Sequence, residues 1–429
     1  MSEADAPRGW PSRYERPDVE SVYLHLPFCE RKCLYCDFPS WTTRAHDPLM
    51  AEYSHALESQ LRAFAGLGLV GRARTAYLGG GTPSMLGPDT LAHLVGELLA
   101  QSPAIEELSF EANPESLDAG LCSAAREAGA TRVSMGVQSL DDEELSRLGR
   151  IHSARRALEA AQDALSSGLA LSCDLMCAIP AQTSQSWRAS LSSLLELGVA
   201  HLSVYPLAIE KGTKLERGLA EADPAWNSDE VQARRMLEAE GLLAARGLSR
   251  YEVASYARPG HECLHNQSYW TGQPYLGLGT GASSMLTRTG YLLLRDVCPQ
   301  LPPPRPECSR VRLTVTSSRR QMALDPAPSS LSFDLEFLDR RQQMSEDLML
   351  SARLTRGIDA RLLDCARGVL GEGRVEAALG ELLARGLATP LPDGGLAPSE
   401  RGWLLGNELY GRLWGLSPSS PEPLHVQGV

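Results

Sequence analysis

From residue 21 to about 257 the chain repeats one unit, a short β-rich run followed by a stretch with helical spacing. The runs are SVYLHLPF (21–28), TAYLGGG (75–81), ELSFEANP (107–114), TRVSMGVQS (131–139), LALSCDLMCAIP (169–180) and HLSVYPLA (201–208). Between them lie segments such as DTLAHLVGELLAQS and SARRALEAAQDALSSG, whose apolar residues recur at the helical period. This alternation restricts the fold more than any other feature. Strands joined by helices run parallel, because the crossover packs back onto the sheet only in the right-handed sense. Six or seven such units predict an α/β protein built on a barrel or partial barrel.

In that architecture the working groups sit at the C-terminal ends of the strands. Polar and glycine-rich groups fall at those ends here. Cys29 follows the first run and Gly79-Gly80-Gly81-Thr82 the second. Glu111 and Asn113 close the third, Gln138 the fourth, and Asp174 lies in the fifth. Five separate segments therefore point to one face of one barrel.

The rest of the chain divides by composition. Residues 1–20 are polar with three prolines and read as a disordered leader, not a signal peptide. Residues 285–332 include VCPQLPPPRPECSR and read as an irregular Pro-rich insertion or linker. Residues 333–415 are mainly helical, with a two-stranded wing expected around Asp393-Gly394-Gly395, which predicts a smaller winged-helix-like domain. Residues 416–429 read as a disordered tail. A net charge of −12 argues against a nucleic-acid partner, since non-specific binding needs a basic surface. No apolar run of roughly 18 residues predicts a membrane span. Ten cysteines without a secretion signal point to a reducing, cytoplasmic setting, where clustered thiols bind metal or do redox chemistry.

Three of those cysteines are clustered. Cys29, Cys33 and Cys36 are spaced C-x3-C-x2-C, and Phe38 stands two positions on. Three thiols leave either a zinc site short of one ligand, with His25 or His46 to complete it, or a cubane cluster with one open iron. The stretch YLHLPFCERKCLYCDF resembles the signature of the radical SAM superfamily. That resemblance implies a partial (β/α)6-type barrel over residues 21–284. It also implies a [4Fe–4S] cluster on Cys29, Cys33 and Cys36, whose open iron is chelated by S-adenosylmethionine and whose electron cleaves the sulfonium. It assigns cofactor contacts to Tyr23, Gly80, Gly81, Thr82, Glu111, Gln138, Arg150, Asp174 and Ala208, and the exposed backbone of the glycine motif to the methionine amino end. It assigns no catalytic residue.

Two branches of that superfamily share these motifs. One is the oxygen-independent coproporphyrinogen III dehydrogenase of haem synthesis, a SAM-dependent oxidoreductase. The other is a branch of haem chaperones, which bind haem and deliver it to haem proteins. The dehydrogenase pattern continues to a fourth cysteine where this chain has Phe38, and it carries a longer N-terminal segment. HNQSYW (265–270) resembles the H-N-x-x-Y-W motif of the chaperone branch, implicated there in haem handling. On that resemblance His265, Asn266, Tyr269 and Trp270 are the candidate haem residues, with His265 as a replaceable axial ligand. From the residues alone, His265 capping a turn and Trp270 filling core is the plainer reading. EDLMLSARLTRGID (346–359) matches the branch's E-x6-R-x3-G stretch. One departure stands out: Ser283 occupies a position where the branch usually has histidine. The expectation is a chaperone rather than an enzyme, with haem as cargo, haem proteins as recipients and a homodimer possible on family grounds; the alternative is the dehydrogenase or another radical SAM enzyme.

Overall fold

The computed structural model describes residues 11, 14–220, 224–417 and 423–428. Each predicted run is a strand: β1 (Ser21–Leu26), β2 (Thr75–Gly80), β3 (Glu107–Ala112), β4 (Arg132–Gln138), β5 (Ala170–Cys177) and β6 (His201–Pro206). They pair in sequence order, all parallel, as a partial (β/α)6 barrel. The helices between them start where the chain can satisfy their first N–H groups. Asp47, Asp118, Ser153 and Thr183 each cap one with a side-chain oxygen. Trp187, Tyr53 and Phe110 are among the large side chains fully buried in the core that the helices and sheet share.

The sheet does not end with the six strands. Beyond β1 it continues through Tyr275–Leu278, Ser283–Thr287, Cys308–Val315, Phe333–Asp339 and Leu424–Val426; beyond β6 it takes Ser255–Ala257 and Ser249–Arg250, giving 13 strands among the described residues. Two expectations are corrected here. Residues 285–332 are not an irregular linker, for they hold the helix Arg288–Val297, the strand Cys308–Val315 and the helix Arg319–Leu324. The strand was hidden because Arg310 occupies a buried position, held by Glu346 at 3.0 Å and Asp347 at 2.8 Å, partners remote in sequence. Nor is all of 416–429 loose, since Leu424–Val426 pairs with Phe333–Leu335. The leader reads similarly. Residues 1–10, 12 and 13 lie outside the described residues, whereas Val19 is buried, Tyr14 bonds Asp347, and Glu20 bonds Pro274 through its N–H.

The C-terminal unit packs its own hydrophobic core from the helices Arg340–Ser351, Ala360–Leu370, Glu372–Ala384 and Gly406–Trp414. The wing is present as Ala388–Pro390 against Leu396–Pro398. The E-x6-R-x3-G residues fasten this unit. Glu346 pairs with Arg310 and Arg312, and Arg353 lies over the Trp270 and Tyr410 rings. Gly357 has φ of +70° and approaches the Leu396 carbonyl so closely that a Cβ would sit 2.1 Å from it.

At the N-terminal mouth of the barrel one carboxylate gathers several elements. Glu107 of β3 is buried, lies 3.3 Å from the Arg132 guanidinium of β4, and accepts N–H bonds from Leu264 (3.2 Å) and His265 (2.9 Å). It thereby seats the helix Leu264–Trp270 across the mouth. Glu107→Gln leaves the Arg132 charge buried without its partner. We expect a loss of about 3–5 kcal/mol, read as a lower urea midpoint by near-UV circular dichroism; an unchanged midpoint would remove Glu107 from this role.

Candidate functional site

The cysteine loop is clamped at both ends. Phe28–Cys29 pairs with Trp41–Thr42, the Thr43 N–H bonds the Cys29 carbonyl at 2.8 Å, and the Trp41 N–H bonds that of Pro27 at 2.9 Å. Its middle is tied to the barrel through Leu34, which bonds Leu148 and Leu215 through its backbone. Cys29, Cys33 and Cys36 are free thiols, each partly exposed; the other seven cysteines are buried. Burial pushes the Cys29 and Cys36 thiols up, so metal binding there must displace protons. Among the described residues no three His, Cys, Asp or Glu side chains gather at a single-ion site. His25 is not poised as a zinc ligand either, because its Nδ1 lies 2.9 Å from the Tyr23 hydroxyl and its Nε2 3.0 Å from the Pro39 carbonyl.

The glycine motif closes onto this loop. The Gly81 N–H bonds the Leu26 carbonyl at 2.9 Å and the Thr82 N–H that of Phe28 at 2.7 Å. A Cβ on Gly81 would meet the Phe28 carbonyl at 2.5 Å, and one on Gly80, whose φ is +104°, would meet the His25 ring at 2.2 Å. The glycines are thus required by the chain's own packing. The expectation that their backbone stands open is corrected at Gly80, whose N–H donates to Glu111 Oε2 at 2.8 Å.

Two carboxylates face the same mouth. Glu111 also accepts from the Tyr77 hydroxyl at 3.1 Å. Burial raises its pKa to about 7, with Asp174 adding a like charge; burial raises Asp174 to about 6. Both keep some solvent contact. Such a pair is ill at ease when ionised and gains from a cationic ligand. Gln138 sits where β4 departs from regular pairing, with φ of +65°, and accepts from the Tyr205 hydroxyl at 3.2 Å. A non-glycine residue held in that region is strained, and such strain clusters at functional sites. Ala208 is exposed just beyond β6.

Arg150 ties loop to barrel. One guanidinium nitrogen donates to Cys33 Sγ at 3.2 Å; the other donates to Asn113 Oδ1 at 2.6 Å and to the Gly136 carbonyl at 2.8 Å. Burial alone would lower its pKa, but Tyr35, Cys33 and Glu115 raise it, so the cation is secure. Asn113 Nδ2 in turn donates to Thr82 Oγ1 at 2.9 Å. The sequence placed Asn113 at a strand end without giving it a role; Tyr77 and Tyr205 carried no signal beyond their alternate positions in strands.

The haem candidates are elsewhere. His265 is only 1% exposed, at the opposite end of the barrel. Its Nδ1 lies 2.9 Å from Thr75 Oγ1, its Nε2 lies 3.1 Å from the Tyr269 hydroxyl, and its ring stacks on Tyr77. Burial lowers its pKa to about 3. The expectation of a replaceable axial ligand is corrected for this arrangement, because both ring nitrogens are engaged inside the barrel. Trp270 faces Arg353, and Asn266, next to His265 on the same helix as Trp270, is half-buried. Ser283, at the departure from the branch pattern, bonds Thr314 across its strand pair.

The donor set suits an iron–sulfur cluster with an open iron: three unpaired thiols at a barrel mouth, a fixed cation beside one of them, and two carboxylates raised by burial. Comparison with known proteins agrees in fold and sequence. The radical SAM superfamily profile matches residues 23–194. The protein named heme chaperone HemW from Mycobacterium tuberculosis is 38% identical over 275 residues, 63% of this chain and 70% of that one. Its namesake from Escherichia coli is 35% identical over 286 residues, 64% of this chain and 72% of that one. The structure of coproporphyrinogen III oxidase (HemN) from Escherichia coli, described as a radical SAM enzyme, superposes with a TM-score of 0.73 at 20% identity, over 96% of this chain and 95% of that one. That likeness extends the shared fold through the strands and helices beyond residue 194. With the cysteine loop, the glycine motif and the paired carboxylates assembled at one barrel mouth, the chain belongs to the HemW family of the radical SAM superfamily.

Proposed function

We propose that this protein is a cytoplasmic haem chaperone, which binds haem and hands it to recipient haem proteins, with a [4Fe–4S] cluster on Cys29, Cys33 and Cys36 and an S-adenosylmethionine site beside it. The observation that carries the reading is the identity to proteins named heme chaperones, over 70% or more of their length, in a chain whose cofactor end is fully built. When bound, the cluster and S-adenosylmethionine supply a one-electron route to sulfonium cleavage. The chain's own residues set the frame for it. Cys29, Cys33 and Cys36 hold three irons. Glu111 and Asp174 neutralise the ammonium and sulfonium cations. Gln138 and Tyr23 line the pocket wall, and Arg150 braces Cys33.

The second reading is the dehydrogenase. HemN shares the fold, but at 20% identity that likeness shows architecture alone. Phe38 stands where the dehydrogenase pattern has its fourth cysteine, and its ring is 64% exposed on the outer rim of the loop. Radical chemistry on a tetrapyrrole needs the substrate enclosed from solvent. An open rim suits cargo that must leave. The reading does not depend on His265, whose use as a haem ligand would require the helix Leu264–Trp270 to leave the barrel.

Three outcomes are expected. Anaerobically reconstituted protein should hold about four irons per chain, and Cys33→Ala should lose the cluster absorbance; a normal spectrum in that variant would overturn the ligand set. Affinity for S-adenosylmethionine should rise as pH climbs from about 5.5 to 7.5. The ligand's cations bind the ionised carboxylates, whose folded pKa values of about 7 and 6 are raised, so binding expels protons. Glu111→Gln should weaken binding about tenfold and flatten that profile in isothermal titration; a wild-type profile in the folded variant removes Glu111. Finally, the protein should bind haem by Soret titration and leave coproporphyrinogen III unconverted, and steady conversion to protoporphyrinogen would sink the chaperone reading.

A further inference from the structure

The chain Arg150–Asn113–Thr82–Cys29 has a direction. Arg150 has only N–H donors and cannot lose its proton. Its nitrogen therefore faces the oxygen of the Asn113 amide, at 2.6 Å. That fixes the amide, leaving its NH2 group to face Thr82 Oγ1, at 2.9 Å. With a lone pair of its oxygen taken by Asn113, the Thr82 hydroxyl has its proton free to donate. The neighbour placed to accept it is Cys29 Sγ, at 3.7 Å. The other nitrogen of the same guanidinium donates directly to Cys33 Sγ, at 3.2 Å. Thr82 is buried, and its hydroxyl does not cap the short helix that follows.

We propose that Asn113 and Thr82 are positioning residues that commit a hydrogen bond to the Cys29 sulfur and so, together with Arg150 on Cys33, raise the reduction potential of the cluster. On reduction the cluster takes one electron, and the added negative charge spreads onto its sulfurs. Donors aimed at those sulfurs stabilise the reduced form more than the oxidised one. One guanidinium thereby acts on two of the three ligands, on Cys33 directly and on Cys29 through two neutral side chains. The relay also joins three parts that arise far apart in sequence: the loop, the end of the glycine motif, and the end of β3.

This inference rests on the cluster assignment above, and the test separates the two. Full-length protein is reconstituted without S-adenosylmethionine and titrated with dithionite, the midpoint being read by electron paramagnetic resonance and iron content measured on each sample. Should wild type take up no cluster, the assignment fails first, and this inference with it. With full iron content, Thr82→Val keeps shape but removes the proton. It should lower the reduced-to-oxidised ratio about tenfold at the wild-type midpoint, a shift of about 59 mV for one electron. Thr82→Ser should restore the wild-type value. Asn113→Asp offers Thr82 an acceptor in place of a donor and so turns the hydroxyl proton away from sulfur. It should lower the midpoint clearly in the Thr82 protein and by distinctly less in the Thr82→Val background, where only its added charge remains. An unchanged midpoint in fully loaded Thr82→Val protein overturns the relay, as does an equal effect of Asn113→Asp in both backgrounds. Because the cofactor is absent from the titration, a role of Thr82 in binding it cannot produce the shift.

Discussion

A half-barrel with a polar interior has two mouths, and only one of them can be left open. Glu107 is what closes the other. Its carboxylate holds Arg132 on the neighbouring strand and the first N–H groups of the helix Leu264–Trp270. That helix sets His265 against Tyr77 inside the barrel, and it carries Trp270 out to Arg353 of the C-terminal unit. The same carboxylate therefore decides how the barrel is filled and where the second core docks. Tyr77 reaches from this filled end to Glu111 at the open one, so the two mouths share a side chain.

Much of the open mouth was legible in the sequence. Strand ends are short, and their polar residues stand out against β-branched and apolar runs; Glu111, Asp174 and the cysteine loop were visible for that reason. The three thiols needed no tertiary information, because their spacing places them in one loop. Asn113 shows the limit. A strand-end asparagine has many uses, and only Arg150, 37 residues on, reveals which face of its amide is committed.

The misreadings share a cause. Arg310 disguised a strand because its acidic partners lie 36 and 37 residues away. His265 looked available because sequence shows an imidazole but not the threonine and tyrosine hydroxyls that occupy its nitrogens. The glycine motif was read as open backbone, whereas Leu26, Phe28 and His25 fill the space its missing side chains leave. In each case the residue type was right for two roles, and a partner distant along the chain chose between them.

The strand Leu424–Val426 lies along the outer side of Phe333–Asp339, the last long strand of the sheet. Long strands with unpaired backbone groups invite other chains to add on. Here a three-residue strand, with His425 bonded to Asp334 at 2.8 Å, occupies that edge. A sheet this wide is thus sealed by a few residues held by backbone bonds, two hydrogen bonds that involve side chains, and the packing of Val426. Shortening the chain before Leu424 would bare a strand whose core face carries Phe333, Leu335 and Phe337, and so turn a covered edge into a template for self-association.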